Sequence, residues 1–261
     1  MRRSAICLPA IFALSLLAVA MTAGRVSAPD GNETRDRSGA TTGMRQPEYG
    51  NTVHFIFTAD SLFEGGEYAL DVLDCYDVKA SFFFTGNFLR DSLRNGAIVR
   101  RTIDAGHYVG PHSDRHILLA DWDEARTTLA TPDSALVDMR QNYAELSRYG
   151  VDTVRAKYIV PPYEWYNRTH IEAYRKAGYL PLSPSAGLLT YRDYTTPDME
   201  DYYSSDTIWD NFMDNLHNRD LDGAIIIIHL GTQEIRTDKF YYRLPEMLDS
   251  LMAHGYKATR F

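Results

Sequence analysis

The sequence predicts an α/β fold in which parallel strands, covered by helices, close toward a barrel. From about residue 51 onward, short apolar runs alternate with segments of helical periodicity. Several runs are apolar throughout, which is typical of strands buried on both faces of a parallel sheet. The alternation favours a helix-covered sheet over two packed sheets. The 261 residues are 44% hydrophobic and 24% charged, as in a globular protein with a sizeable core.

Six strands are predicted from short runs of apolar residues. The run before Gly86 is Ala-Ser-Phe-Phe-Phe, and the run 224–228 is wholly apolar. The run 158–160 must end at Pro161 and Pro162, because proline has no amide hydrogen to donate to a central strand. The predicted strands span residues 54–57, 80–84, 107–110, 158–160, 224–228 and 257–261.

Six helices are predicted between and after these strands. In the segment 133–149, for example, Ala135, Met139, Tyr143 and Leu146 recur on one face. Gly106 follows another periodic segment at the position of a helix C-cap. The predicted helices span residues 69–76, 98–105, 133–149, 170–177, 206–216 and 244–254.

The amino-terminal segment has the composition of a secretory signal peptide. Arg2 and Arg3 precede an apolar run over residues 6–21, and small residues follow. A membrane anchor is the alternative, but Pro9 interrupts the run and a spanning helix needs about 20 apolar residues. We therefore expect cleavage of residues 1–23, a flexible linker over 24–50 rich in Gly, Ser, Thr and Pro, and a catalytic domain over 51–261. The protein would be exported to the periplasm or the extracellular space, without a stable membrane anchor.

The net charge of −8 argues against a nucleic-acid-binding surface, which normally carries a basic patch. The sequence gives no indication of the oligomeric state.

Polar residues that could carry chemistry follow the predicted strands, where parallel α/β folds place their sites. His112 and His116 are four residues apart, so their rings would reach one ion if this segment were helical. Asp60 would then complete a three-ligand metal site with an open position for water. The alternative is that the two histidines are exposed polar residues on a loop. The other polar residues at strand ends are Glu164, Asp193 and His229.

Five ordered motifs resemble those of the polysaccharide deacetylases, the NodB-like domains of carbohydrate esterase family four. Gly106-His107-Tyr108-Val109-Gly110-Pro111-His112-Ser113-x-x-His116 is similar to the family pattern G-H-x-[IV]-G-x-H-[ST]-x-x-H. The resemblance starts near residue 51 and continues to the carboxyl terminus. The further matching segments are the strand 78–86, Pro161-Pro162-Tyr163, Arg192-Asp193-Tyr194 and the run 225–230.

The resemblance implies a distorted (β/α) barrel of about seven strands and a metal-dependent hydrolase that removes acetyl groups from N-acetylated, or in some cases O-acetylated, sugars. It makes His112 and His116 metal ligands, with zinc the expected metal and cobalt, nickel and manganese the alternatives. The backbone amide of Tyr163 would help to hold the oxyanion. His229 would be the general acid and Asp193 would orient it. The alternative for His229 is a core histidine bonded to a carbonyl.

The first motif departs from the family pattern T-F-D-D, since only Asp60 is present. Asp60 could match the catalytic base, with Ser61 replacing the ligand, or the ligand, with Ala59 replacing the base. We favour the second alignment because the family arginine that pairs with the base is also absent, replaced by Val160. An arginine left without its carboxylate would be an unpaired buried charge that costs about 3–5 kcal/mol.

Glu164 is the candidate replacement for the missing base, because it follows Pro161-Pro162-Tyr163 where the family usually has glycine. The alternative is a solvent-facing glutamate on a loop. Trp165 and Tyr194 are candidates for packing against the C–H faces of a sugar. The segment 118–132, which contains Trp122, would either form a wall of the cleft or be a surface insertion.

The sequence thus predicts a metal-dependent carbohydrate deacetylase whose partner is an acetylated glycan. A deacetylase-like glycan-binding protein without catalysis is the alternative from another functional class. Hydrolysis of an unrelated amide or ester is a third hypothesis.

Overall fold

A computed structural model describes residues 51–261. The predicted signal peptide 1–23 and linker 24–50 lie outside these residues and stay predictions. The described part of the chain contains seven strands, seven α-helices and three short 3₁₀ helices. The strands are β1 Thr52–Ala59, β2 Ser81–Phe84, β3 Tyr108–Pro111, β4 Tyr158–Ile159, β5 Leu180–Pro181, β6 Ala224–His229 and β7 Lys257–Ala258.

The helices fill the connections between the strands, as the alternating pattern predicts. None of those in residues 51–261 has the length and apolar composition needed to cross a bilayer. The 3₁₀ helices span Pro162–Glu164, Thr190–Tyr194 and Phe240–Arg243. The α-helices are α1 Gly66–Cys75, α2 Gly86–Arg90, α3 Ser92–Asp104, α4 Pro132–Arg148, α5 Arg168–Lys176, α6 Ser205–Asn218 and α7 Leu244–Ala253.

All strand pairings are parallel. One sheet has the order β3-β2-β1-β6, with β7 also paired to β1, and β4 and β5 form a second sheet. Hydrogen bonds connect the edges of the two sheets. Val160 N donates to the Pro111 carbonyl oxygen at 3.2 Å, and Ser185 N donates to the Ile225 carbonyl oxygen at 3.1 Å. The Ser185 hydroxyl also accepts a bond from Ile225 N at 2.9 Å. The expected distorted (β/α) barrel is therefore confirmed.

The alternation of side chains along β1 separates two cores, because successive side chains of a strand point to opposite faces. Phe55 and Phe57 belong to the large core between the barrel and its helices. Ile56 belongs to a small inner core, which it shares with Phe83, Val160, Leu182 and Ile227.

The structure corrects several predicted elements. Helix α2 and strand β5 were not predicted, and the last strand is two residues long, Lys257–Ala258, instead of spanning 257–261. Helix α2 has five residues and β5 has two, so neither shows a full period of apolar residues. Gly86, predicted only as a strand terminator, begins α2 within 3.1 Å of the Ser113 carbonyl oxygen. A Cβ at this position would lie 1.8 Å from the Asp114 carboxylate, so glycine is required there.

Candidate active site

A cavity of about 730 Å³ lies at the carboxyl ends of the barrel strands. Eight of the nine predicted site residues line it. The ninth, Asp193, is buried behind His229. The lining comprises Thr58, Ala59, Asp60, Ser61, Leu62, His112, His116, Trp122, Arg126, Tyr163, Glu164, Trp165, Pro184, Tyr191, Arg192, Tyr194, Asp201, His229 and Gly231.

His112 and His116 meet at their ring edges, with their Nε2 atoms 3.2 Å apart. They do so without a helix, since residues 112–116 form a loop and the ring planes are tilted by 53°. The loop turns back because Ser113 and His116 adopt left-handed backbone angles, with φ of 77° and 53°. Burial lowers the pKa of both imidazoles, that of His112 well below its usual range.

Helix α4 holds this loop through two polar side chains on an otherwise apolar face. Asp138 is buried and accepts hydrogen bonds from the Ser113 hydroxyl and from Asp114 N at 2.8 Å. Asn142, one helical turn later, accepts a bond from His112 N at 2.8 Å. Sequence reasoning missed both residues. The sequence feature that could have identified them is their spacing: the two polar residues are four apart and lie on the helix face that buries Met139 and Tyr143.

The protonation of His112 suits a metal ligand. Its Nδ1 lies 3.0 Å from the Val160 carbonyl oxygen. Because a carbonyl only accepts, Nδ1 carries the hydrogen and Nε2 presents a lone pair to the cavity. Two nitrogens bound tetrahedrally to one zinc at about 2.0–2.1 Å would lie about 3.4 Å apart, close to the observed separation. The two imidazoles therefore fit two positions around one cation.

Asp60 lines the same cavity as the histidine pair. Its Oδ1 accepts hydrogen bonds from the Thr85 hydroxyl at 2.9 Å and from Asn87 Nδ2 at 3.2 Å. Within residues 51–261, no three His, Cys, Asp or Glu side chains are close enough together to hold a metal ion. The ligand set of Asp60, His112 and His116 stays a prediction, and the charge of Asp60 acts on the His116 imidazole. Thr85 and Asn87 were not predicted, although both follow the buried strand β2 directly.

His229, the last residue of β6, forms a pair with Asp193. The Nδ1 atom of His229 lies 2.6 Å from Asp193 Oδ1, and its backbone N donates to Asp193 Oδ2 at 2.9 Å. Burial lowers the pKa of His229, but the charge and the hydrogen bond of Asp193 outweigh it, so the pKa is raised. The carboxylate fixes Nδ1 as the protonated nitrogen, which leaves Nε2 as the other position for a proton.

Glu164 lies in a strained turn at the cavity. Burial raises its pKa to about 7, with a positive His229 opposing and Asp193 adding to the shift. Its Oε1 is buried and has no hydrogen-bond partner in the described part of the chain. Tyr163 and Glu164 are both left-handed, with φ of 59° and 48°. Such strain in non-glycine residues is concentrated at functional sites.

Aromatic side chains form one wall of the cavity. The Tyr163 ring packs on His116, with 4.3 Å between centroids, and Trp122 packs edge-on against Tyr163 at 5.9 Å. The Trp122 and Trp165 rings lie 5.2 Å apart. Tyr194 contacts the His229 ring edge-on at 5.7 Å. The loop that contains Trp122 is therefore a wall of the cleft.

Ala59 and Val160 leave no charge unpaired where the family pattern has an aspartate and an arginine. Both side chains are buried. Ala59 lies at the end of β1 on the cavity wall, and Val160 packs in the inner core.

The family model described as polysaccharide deacetylase matches residues 54–182. The resemblance inferred from the motifs is confirmed over this region. The matched residues carry Asp60, the histidine pair and Glu164, while His229 and Asp193 come after them.

Three similar proteins illustrate the relationship. An uncharacterised 30.6 kDa protein of Geobacillus stearothermophilus is 26% identical over 208 residues, which are 76% of this chain and 66% of the relative. A family four pseudoenzyme from Bacillus anthracis superposes with a TM-score of 0.60 at 17% identity, covering 83% of this chain and 65% of the other. A chitin deacetylase from Colletotrichum lindemuthianum superposes with a TM-score of 0.59 at 21% identity. The match covers 82% of this chain and 86% of the deacetylase.

The chain thus spans just under two thirds of the length of the first two proteins. At these identities the structural likeness establishes the fold.

Proposed function

We propose that this protein hydrolyses acetyl groups from an acetylated carbohydrate with the help of a divalent cation. The observation that carries the proposal is one cavity that combines the paired imidazoles of His112 and His116 with the half-buried Glu164 and the His229–Asp193 pair. Two titratable groups in one cavity whose pKa values are both raised, Glu164 and His229, are candidates for a base and an acid.

His112 and His116 would hold the cation, with Asp60 as the candidate third ligand. A cation in this place supplies Lewis acidity and lowers the pKa of water toward about 7. Zinc suits two imidazoles and a carboxylate, and cobalt, nickel and manganese accept the same donors.

Glu164 takes the proton of the attacking water in this proposal. Its pKa of about 7 means that near neutral pH it exists in both forms, which is the condition for an efficient general base. Its unpartnered Oε1 leaves an acceptor free for that proton. Glu164 would thereby replace the aspartate that the family has at the position of Ala59.

His229 supplies the proton that leaves with the product. Water adds to the acetyl carbon and the bond from that carbon to nitrogen (or oxygen, in an ester) breaks. The departing atom then takes the proton from His229 Nε2, and acetate is released. Asp193 stabilises the charged imidazole and keeps it in the required tautomer.

The substrate is oriented by the turn after β4 and by the aromatic wall. The backbone N–H of Tyr163 is the candidate donor to the oxyanion. Trp165 and Tyr194 border the cavity, where apolar ring faces suit the C–H faces of a sugar.

We also propose, from residues 1–50 alone, that the domain is exported and meets its glycan outside the cytoplasm.

A second candidate function is glycan binding without catalysis. Two observations favour it: Ala59 stands where the family has its base, and Asp60 Oδ1 is already engaged by Thr85 and Asn87. One of the proteins with a similar fold is itself described as a pseudoenzyme.

Acetate release separates the two functions. The purified protein is incubated with acetylated oligosaccharides after loading with zinc, cobalt, nickel or manganese, and again with a chelator. A hydrolase releases acetate with at least one metal and loses this activity with the chelator. Retained glycan affinity with no acetate under any metal would support the binding protein instead.

A further inference from the structure

Trp122 and Trp165, the two tryptophans of the cavity wall, differ in how far contacts within the protein cover their rings. The Arg126 guanidinium lies over the Trp165 ring, 3.8 Å from its centroid, and Trp165 Nε1 donates to the Asp121 carbonyl oxygen at 2.8 Å. Trp165 is thus engaged by its own protein on one face and at its polar edge. Trp122, by contrast, is 57% exposed.

The loop that carries Trp122 is held in place by several contacts. Arg126 Nη1 donates to the Tyr166 carbonyl oxygen at 2.9 Å, and Asn167 Nδ2 donates to the Thr128 hydroxyl at 2.7 Å. A β-bridge joins Ala120 and Thr128. The exposed indole is therefore presented in a fixed position, which reduces the entropy lost when a ligand packs against it.

Contacts between aromatic rings lead along the cavity wall from Trp122 to the histidine pair. His116 contacts the Tyr163 ring, and Tyr163 in turn contacts Trp122. An acetyl group at His116 would leave its own sugar beside Tyr163. The next sugar along the chain would then reach Trp122.

We propose that Trp122 binds the sugar adjacent to the acetylated one, so that the substrate is a chain of at least two sugars. This inference rests on the proposed function. It transfers the stacking role that the sequence suggested for Trp165 to Trp122, whose ring is more open to a ligand. Trp165 instead supports the wall, through its contacts with Arg126 and Trp122.

The test measures kcat/KM for acetate release from acetylated oligosaccharides of one to four sugars, in an N-acetylglucosamine and an O-acetylxylose series. In the wild type, efficiency should rise from one sugar to two. Trp122→Ala should lower the ratio of the tetramer value to the monomer value by about two- to tenfold, the range expected for one aromatic packing contact. Trp122→Phe should restore most of that ratio. Tyr242→Ala, which removes an aromatic side chain that is also 57% exposed but lies outside the cavity, should leave the ratio unchanged.

Calorimetric binding of the same tetramers separates failure of this inference from failure of catalysis. If no acetate is released but the tetramer binds the wild type more tightly than Trp122→Ala, the Trp122 site stands and the hydrolase proposal fails. If acetate is released with the same chain-length dependence in both proteins, the Trp122 site is refuted and the hydrolase proposal stands. If no oligosaccharide binds and no acetate appears, both are refuted.

Discussion

Replacing Glu164 by glutamine should make the protein more stable at alkaline pH while it removes activity. Burial raises the pKa of Glu164 from 4.5 to about 7 in the folded protein. The folded state therefore holds this proton more tightly than the unfolded chain. The carboxyl group costs no stability below pH 4.5. Between pH 4.5 and about pH 7 its ionisation lowers the free energy of unfolding, and the loss is complete above about pH 7.

The magnitude follows from the same values. The two pKa values differ by about 2.5 pH units, and each unit is worth about 1.4 kcal/mol, so the full effect is about 3 kcal/mol. Glutamine fills nearly the same space and is neutral at every pH. Relative to Glu164→Gln, the wild type should lose about 3 kcal/mol between about pH 4 and about pH 8.

Urea unfolding of both proteins at these two pH values, in the presence of a chelator, measures this difference. The other titrating groups are common to both proteins and cancel, except those that Glu164 itself perturbs, such as His229. Glu200→Gln, at an exposed glutamate, is the matched control and should show no such pH-dependent difference. An equal stability gap at both pH values would show that Glu164 is not a buried acid. In the loaded enzyme, the same substitution should lower kcat/KM by about 10²- to 10⁴-fold. Near-wild-type acetate release would refute its role as base.

The remaining predictions concern the groups around Glu164. Asp193→Asn should lower kcat by about 10²- to 10⁴-fold. It should also move the alkaline limb of the kcat/KM profile to lower pH, because Asp193 raises the pKa of His229; an unmoved limb would refute the pairing. Asp138→Asn should weaken zinc binding by about 10- to 100-fold in competition with a chelating dye, with folding checked by circular dichroism. Unchanged affinity would show that Asp138 does not position the histidines. Ala59→Asp and Val160→Arg should each lose about 3–5 kcal/mol of stability in urea and the double variant less than their sum; additive losses would refute the proposed pairing.

The barrel could be predicted because most of its strands are short, continuous runs of apolar residues. Wholly apolar runs such as that of β6 indicate a strand that is buried on both faces. A polar residue directly after such a run lies at the end of the barrel. His112 and His229 were found in this way. Strand β5 escaped because two residues show no periodicity, and its place is set by pairing with β4.

The convergence of the histidines could not be derived from spacing. The segment is a loop, the alternative to a helix, and the rings meet because Asp138 and Asn142, 26 and 30 residues after His112, fix the backbone of that loop. Contacts between a helix and a distant loop leave no local pattern in the sequence. Asp60 likewise was placed on the cavity by its strand, but its hydrogen bonds to Thr85 and Asn87 depend on the neighbouring strand β2.

Tyr163 and Glu164, the two consecutive left-handed residues after Pro162, lower the stability of the fold at the turn that carries the proposed base. A side chain in this backbone region costs on the order of 1 kcal/mol that glycine would avoid. Glycine at position 164 would therefore relax the backbone and also remove the carboxyl group. Both changes would raise the free energy of unfolding. Selection for robustness alone would favour that change, and a glutamate retained there against both penalties would signal that the molecule needs its carboxyl group.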